Sequence, residues 1–158
     1  CMTITCGNDL LSKKVEPNVS PSSKRFKTIK LLRQQGIYTG VLMTPILPFI
    51  NDTPENIKEI IYQAHLANAN FIYPMFGVTL RDRQREYFYA QLDKLFPGLK
   101  EYYVKQFGNN YLCNSPRLYE LKKVFIKECQ KYNLTYKMED IIAGYKHPSL
   151  LPEQLSLF

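Results

Sequence analysis

Apolar residues recur at two different spacings along the chain, and the spacing changes at short polar turns. Residues 2–6 alternate between apolar and polar side chains and are rich in β-branched residues, which predicts a strand. Residues 37–50 and 71–79 are nearly continuous apolar runs, as expected for strands that are covered on both faces of a sheet. After each run, apolar residues fall three and four positions apart, which predicts an amphipathic helix.

Three helices are therefore predicted to follow the three strands. The pairs Ser20-Pro21 and Thr53-Pro54 each place a capping hydroxyl before a proline that suits the first helical position. The third helix is predicted over residues 81–96. The residues expected to face the core are Phe26, Ile29 and Leu32, then Ile57, Ile60, Ile61 and Ala64, then Phe88, Leu92, Leu95 and Phe96.

The alternation of strand and helix predicts the α/β class, with a parallel sheet and right-handed crossovers. Three parallel strands alone leave an exposed strand at each edge and little core. We therefore expect the chain to be the C-terminal half of a partial (β/α)6 TIM-like barrel. Its predicted divisions are three β/α units over residues 1–97, a helical extension over 98–145 and a flexible tail over 146–158.

The composition indicates a soluble globular protein, with 45% hydrophobic and 22% charged residues among 158. Residues 1–8 lack a basic start and a long apolar stretch, so no signal peptide is predicted. No apolar run reaches membrane-spanning length, and we expect a cytoplasmic protein without membrane contact. The four cysteines and two histidines have no zinc-site spacing, so no metal site is predicted from them.

Positive charge is concentrated in two parts of the chain, and the net charge is +7. Such a charge favours polyanionic partners such as DNA, whereas a solvated lysine-rich surface is the alternative. The first cluster comprises Lys13, Lys14, Lys24, Arg25, Lys27, Lys30 and Arg33, and the second Arg117, Lys122, Lys123, Lys127, Lys131 and Lys137.

Short motifs at residues 16–25, 36–52 and 76–89 resemble those of the radical S-adenosylmethionine (radical SAM) superfamily, and in particular its spore photoproduct lyase-like branch. The resemblance extends over residues 2–145 and includes the run FGVTLRDRQREYFY at residues 76–89. It implies that this chain holds strands four to six of the barrel. The other motif residues are Glu16-Pro17, Ser20-Pro21, Arg25, Gly36-Ile37, Pro45, Pro48 and Asn51-Asp52.

The resemblance implies S-adenosylmethionine and a [4Fe–4S] cluster as cofactors. In that family a CxxxCxxC loop after the first strand holds the cluster, whose reduction releases a 5′-deoxyadenosyl radical. This chain contains no CxxxCxxC. The cluster is thus expected in an N-terminal half of the same barrel, and this chain alone is expected to be inactive.

Ligands of α/β barrels bind at the carboxyl ends of the strands, which guides the choice of candidate residues. The resemblance implies cofactor contacts there, although Arg25 could instead be a solvated helix arginine. Arg81 and Arg83 are candidates for a phosphate or other substrate anion; the alternative is a charged helix start paired with Asp82 and Glu86. The candidate cofactor-binding residues are Thr5, Glu16, Arg25, Pro45, Asn51 and Gly77.

The last five residues, QLSLF, resemble the peptide by which bacterial repair proteins and polymerases dock on the DNA sliding clamp. Leu157 and Phe158 would fill an apolar pocket, and the Gln154 amide would form hydrogen bonds, with Leu155 and Ser156 between them. The alternative is a tail that folds back and buries Leu155 and Phe158.

Together these features predict part of a radical SAM iron–sulfur enzyme, a lyase-like protein that acts on or near DNA in repair. Two alternatives stay open. One is a non-catalytic half barrel that binds the clamp or nucleic acid. The other is a radical SAM enzyme with a small-molecule or RNA substrate. No catalytic residue is identified by the sequence.

Overall fold

A computed structural model describes residues 1–146 of the chain. The described part is a mixed α/β structure with two sheets. The strands are β1 (Met2–Thr3), β2 (Gly40–Met43), β3 (Phe71–Pro74), β4 (Gly77–Thr79) and β5 (Leu112–Asn114). The helices are α1 (Asp9–Val15), α2 (Ser22–Gln34), α3 (Pro54–Leu66), α4 (Asp82–Leu95), α5 (Leu99–Phe107), α6 (Leu118–Lys131) and α7 (Met138–Lys146).

The three-stranded sheet is parallel, with the order β1-β2-β3, which confirms the predicted parallel arrangement. Val41 lies between Met2 and Ile72 in the register. All three side chains belong to the main hydrophobic core, with Val41 and Ile72 fully buried. This face of the sheet is therefore covered by the helix layer.

The helix layer consists of α3 packed against α6 on one side and α2 on the other. The predicted inward residues of α3 are all fully buried, which confirms its periodicity. Thr53 caps this helix as predicted, because its hydroxyl accepts a hydrogen bond from the backbone N–H of Asn56 at 3.2 Å. In α6, the buried apolar residues Leu121, Phe125 and Cys129 recur at helical spacing, within the helical extension predicted over residues 98–145.

The opposite face of the parallel sheet is only partly covered. Leu42 pairs with Thr3 and Tyr73 on this face, where Thr3 is exposed, Leu42 is half-buried and Tyr73 is 39% exposed. Near the amino ends of the strands, Tyr38 stacks on Phe71 and donates a hydrogen bond to a carbonyl of α7. The face is thus open toward the carboxyl ends of the strands within residues 1–146.

The second unit is built from β4, α4, α5 and β5. β4 and β5 pair antiparallel, so the prediction of one strand over residues 71–79 is wrong. The backbone hydrogen bonds between the β2 and β3 segments end at Met75. The carbonyl oxygen of the next residue, Phe76, accepts a hydrogen bond from the N–H of Ser115, which follows β5. The core of this unit comprises Leu80, Leu92, Tyr103, Phe107 and Cys113. The predicted division near residue 97 falls between α4 and α5, which pack against each other.

The second predicted strand is shorter in the structure than expected, and the second helix is capped differently. The apolar run 37–50 contributes only the four residues of β2, because Pro45 and Pro48 lack the N–H that a central strand needs and residues 48–51 form turns. Ser20 does not cap α2: Pro21 holds the cap position without a side-chain hydrogen bond. The Ser22 hydroxyl instead donates to the Cys6 carbonyl oxygen at 2.6 Å, joining α2 to the end of β1.

The helix α1 was not predicted. Asn8 caps it by accepting hydrogen bonds from the N–H groups of Leu10 and Leu11. None of the helices within residues 1–146 is both long and apolar enough to span a bilayer.

Candidate functional site

Three of the predicted cofactor-binding residues meet at the carboxyl end of β1. The Thr5 hydroxyl donates to a carboxylate oxygen of Glu16 at 3.0 Å, and a guanidinium nitrogen of Arg25 lies 3.1 Å from the same oxygen. The Arg25 and Glu16 side chains are 9% and 25% exposed. The ion pair is therefore shielded on the arginine side, while the carboxylate stays reachable from solvent.

Arg25 is fixed by backbone groups as well as by Glu16. Its Nε donates to the carbonyl oxygen of Ser20 and its Nη1 to that of Thr3, both at 2.7 Å. Since the residue is buried and bonded on several sides, it is not the solvated arginine of the alternative interpretation. Arg25 thus ties α2 to the edge strand β1 and holds Glu16 in place.

Asn51 extends this cluster to the carboxyl end of β2. Its amide nitrogen donates to the Thr5 carbonyl at 2.8 Å and approaches the Pro45 carbonyl at 3.5 Å, and its oxygen accepts from the N–H of Leu47. Cys6 lies beside it, and burial raises the pKa of the Cys6 thiol. Five of the six candidate residues, Thr5, Glu16, Arg25, Pro45 and Asn51, thus form one group, which we call the Thr5–Asn51 network.

An apolar cavity of about 130 Å³ lies beside the network. Val15 and Pro17, the neighbours of Glu16, form one wall, and α4 forms another through Phe88 and Leu92. Leu47, which follows β2, belongs to the same lining. The cavity is smaller than the ~300 Å³ of typical small-ligand pockets, so it suits part of a nucleoside-sized ligand.

Gly77, the sixth candidate, lies in β4, where its neighbours belong to β5. A Cβ at this position would lie 2.7 Å from the carbonyl oxygen of Cys113 and 2.9 Å from the Cα of Asn114. Backbone atoms cannot yield as a flexible side chain can, and this close approach accounts for the glycine. The described contacts do not join Gly77 to the Thr5–Asn51 network.

Arg81 and Arg83, the candidate anion-binding residues, are exposed at the start of α4. Arg81 lies beside the Tyr111 hydroxyl, and hydrogen bonding to Arg81 lowers the pKa of Tyr111. Within residues 1–146, neither arginine forms a salt bridge with Asp82 or Glu86. No described contact joins either arginine to the Thr5–Asn51 network.

Arg85 has a role that the sequence did not indicate. It is 9% exposed, and its Nη2 donates to the carbonyl oxygens of Leu80, Asn109 and Asn110 at 2.9 to 3.0 Å. Its Nη1 also donates to the Asn109 side chain at 3.1 Å. The guanidinium therefore holds the loop before β5 against the start of α4, rather than pairing with Glu86.

A buried Asp52–Ser115 pair was also missed. The Ser115 hydroxyl donates to the Asp52 carboxylate at 2.6 Å, and both residues are less than 5% exposed. Burial raises the pKa of Asp52. Because Asp52 precedes α3 and Ser115 precedes α6, the pair joins the starts of two helices of the helix layer. Their separation of 63 residues left no local signal.

The cysteines of this chain do not fit an iron–sulfur cluster. Cys6, Cys113 and Cys129 are fully buried, and burial raises the pKa of all three thiols, that of Cys129 to about 12. Within residues 1–146, no group of three or more Cys, His, Asp or Glu side chains is placed to hold a metal ion. His147 and the tail residues Gln154 to Phe158 lie outside the described residues.

Comparison with known proteins gives distant relatives only. The chain is similar to uncharacterized proteins of Mycobacterium bovis and of two strains of Mycobacterium tuberculosis, with 26% identity over 102 residues. The match covers 65% of this chain and 30% of each relative, so this chain spans only about a third of their length. No known family profile matches the chain, and no solved structure matches it.

Proposed function

We propose that this chain is the C-terminal half of a radical SAM barrel and contributes one wall of the S-adenosylmethionine site. The observation that carries the proposal is the Thr5–Asn51 network. The candidates were chosen from the predicted strand ends and from the family resemblance. They lie far apart in the sequence, yet they are in hydrogen-bonding contact with one another. Ligands bind at the carboxyl ends of the strands in parallel α/β folds.

The open face of the sheet supports a larger barrel. Parallel sheets are normally covered on both faces, whereas Thr3 in β1 is exposed here. β1 is also an edge strand with β2 on one side only. Further β/α units beyond β1 would pair this edge and cover the part of the face beside it.

The residues present fit the cofactor in part. Glu16 is the accessible polar group, and its carboxylate would accept hydrogen bonds from ribose hydroxyls or from the ammonium group. Thr5 and Arg25 would orient that carboxylate, and the cavity beside it would exclude water from part of the ligand. With a reduced cluster held elsewhere in the barrel, S-adenosylmethionine supplies radical chemistry; none of the residues described here is assigned to a chemical step.

The first test is the reading frame that precedes residue 1. The proposal requires an in-frame CxxxCxxC on a β/α pattern upstream. Iron–sulfur reconstitution and electron paramagnetic resonance of the longer protein would then detect the cluster. An upstream stop codon followed by a start at Met2 would contradict the catalytic proposal.

Replacing Glu16 with glutamine is expected to weaken S-adenosylmethionine binding about tenfold, because the amide removes the charge that a cofactor ammonium would pair with. The fold should persist with a modest loss of stability, since the amide keeps an oxygen for Thr5 and Arg25 but removes the negative charge beside the buried guanidinium. Isothermal titration and thermal melting measure the two effects. Glu139→Gln, at an exposed position in α7, is the matched control. Equal affinity in all three proteins would contradict the role of Glu16.

The proposed setting is DNA repair, supported by the net charge of +7 and by the QLSLF tail. Deleting residues 154–158 is expected to abolish binding to the bacterial sliding clamp without changing the melting temperature, because a docking peptide contributes no core. Fluorescence anisotropy with labelled clamp measures the binding. A lower melting temperature in the truncated chain would favour the folded-back tail instead.

A further inference from the structure

An open groove of about 430 Å³ lies between the carboxyl end of β3 and the helix α6. Tyr73 and Tyr136 are among its walls, and Phe76 and Phe125 lie beneath them. The ring of Phe125 packs edge-on against both Phe76 and Tyr136, with centroid distances of 5.8 and 5.7 Å. The aromatic lining is therefore held in place by the core, while Tyr73 stays 39% exposed.

Unpaired positive charge surrounds this groove. Lys122 and Lys137 line it, and Lys123 and Lys127 continue along the exposed side of α6. The two acids of α6 have their own partners: Glu120 pairs with Arg117 at 3.0 Å and Glu128 with Lys131 at 3.5 Å. Within residues 1–146 these four lysines form no salt bridge.

Two acidic residues adjoin the Lys137 side of the groove in the sequence. Glu139 and Asp140 follow Lys137 in the first turn of α7 and are exposed, so they reduce the positive field beside Lys137. The remaining charge is concentrated on the α6 side, around Lys122. A polyanion would therefore be held mainly along α6.

We propose that this groove binds single-stranded nucleic acid. A base would stack on Tyr73 or Tyr136, and Lys122 and Lys137 would contact the adjoining phosphates. Lys123 and Lys127 lie outside the cavity, where they would meet further phosphates; this arrangement fits a polymer better than a free nucleotide. A duplex keeps its bases stacked inside the helix and cannot use the aromatic walls. This inference rests on the part of the proposed function that associates the protein with nucleic acid, and it names the surface that binds. It does not depend on the proposed S-adenosylmethionine site.

The test is fluorescence anisotropy of the 158-residue chain with a labelled single-stranded oligothymidylate, repeated over a range of salt concentrations. The double variant K122Q/K137Q is expected to bind on the order of tenfold more weakly and to lower the salt slope by about 1.4, since single strands lose about 0.7 per phosphate contact. Y73L is expected to weaken binding by about fivefold or more through lost stacking. The matched control is K24Q/K27Q, which removes the same charge from α2 at the other end of the helix layer.

Three results would overturn the inference. If K122Q/K137Q and K24Q/K27Q weaken oligonucleotide binding equally, the attraction is a general effect of charge. The groove would then not be the binding site, although the chain would still bind nucleic acid. Equal affinity for a duplex of the same length would remove the single-strand assignment. No binding by the unmodified chain at low salt would overturn the groove and the nucleic-acid association together, whereas the Glu16 titration would still decide the cofactor proposal.

Discussion

Replacing Arg85 with methionine is expected to lower the free energy of unfolding by about 3 kcal/mol. The guanidinium donates to three backbone carbonyls and one side-chain amide, and it is 9% exposed. Hydrogen bonds from a charged donor contribute about 1.5–3 kcal/mol each, but Asn109 and Asn110 are exposed and water would replace part of the loss. Urea unfolding followed by circular dichroism measures the change.

Arg83→Met is the matched control for this experiment. Arg83 lies two residues away on the same helix and is exposed, so its loss should change stability by no more than about 0.5 kcal/mol. Arg85→Lys separates charge from geometry, because an ammonium group cannot reach all four acceptors at once. A methionine variant as stable as the control would contradict the anchoring role of Arg85.

The difference between Arg83 and Arg85 illustrates what the sequence could not predict. Both residues stand in the charged run RDRQRE at a helix start, and no local feature distinguishes them. Arg85 is buried because the loop before β5 returns to it from 24 to 25 residues later in the chain. Such burial is set by tertiary contacts rather than by local pattern.

The elements that were predicted correctly are those with a local signal. The face of α3 is defined by apolar residues three and four positions apart, and its start by a Thr-Pro pair. β5 has only three residues and pairs with a strand more than 30 residues earlier. It therefore carries neither a periodic pattern nor a short hairpin turn, and the run 71–79 was interpreted as one strand instead of two.

The candidate site was only partly predictable. The choice of Thr5 and Asn51 came from the predicted strand ends, and that of Glu16 and Arg25 from the resemblance. The structure joins these residues through contacts that span 9 to 46 residues. The reach of Arg25 back to the Thr3 carbonyl at the sheet edge could not be inferred from spacing. Neither a sequence motif nor the spacing of apolar residues indicated the Asp52–Ser115 pair.

Replacing Asn51 with alanine is expected to lower the free energy of unfolding by about 3 kcal/mol. Its amide is 1% exposed and links the end of β1 to the turn after β2, through the Thr5 carbonyl and the Leu47 N–H. The Leu47 N–H would be left buried without its partner, the Thr5 carbonyl would keep only the hydrogen bond from Asn56 Nδ2 at 3.1 Å, and the alanine would also leave a void. Chemical unfolding measures the loss, with Asn18→Ala in an exposed loop as the control.

The comparison of Asn51→Ala with Glu16→Gln divides the network into a structural and a ligand-binding part. Asn51 has its hydrogen-bonding groups committed inside the protein, whereas the Glu16 carboxylate is 25% exposed beside a cavity. The alanine variant should therefore lose the larger share of stability, and the glutamine variant should lose cofactor affinity with a smaller loss of stability. If Glu16→Gln destabilises the chain as much as Asn51→Ala does, the whole network serves the fold, and the cofactor site must lie elsewhere.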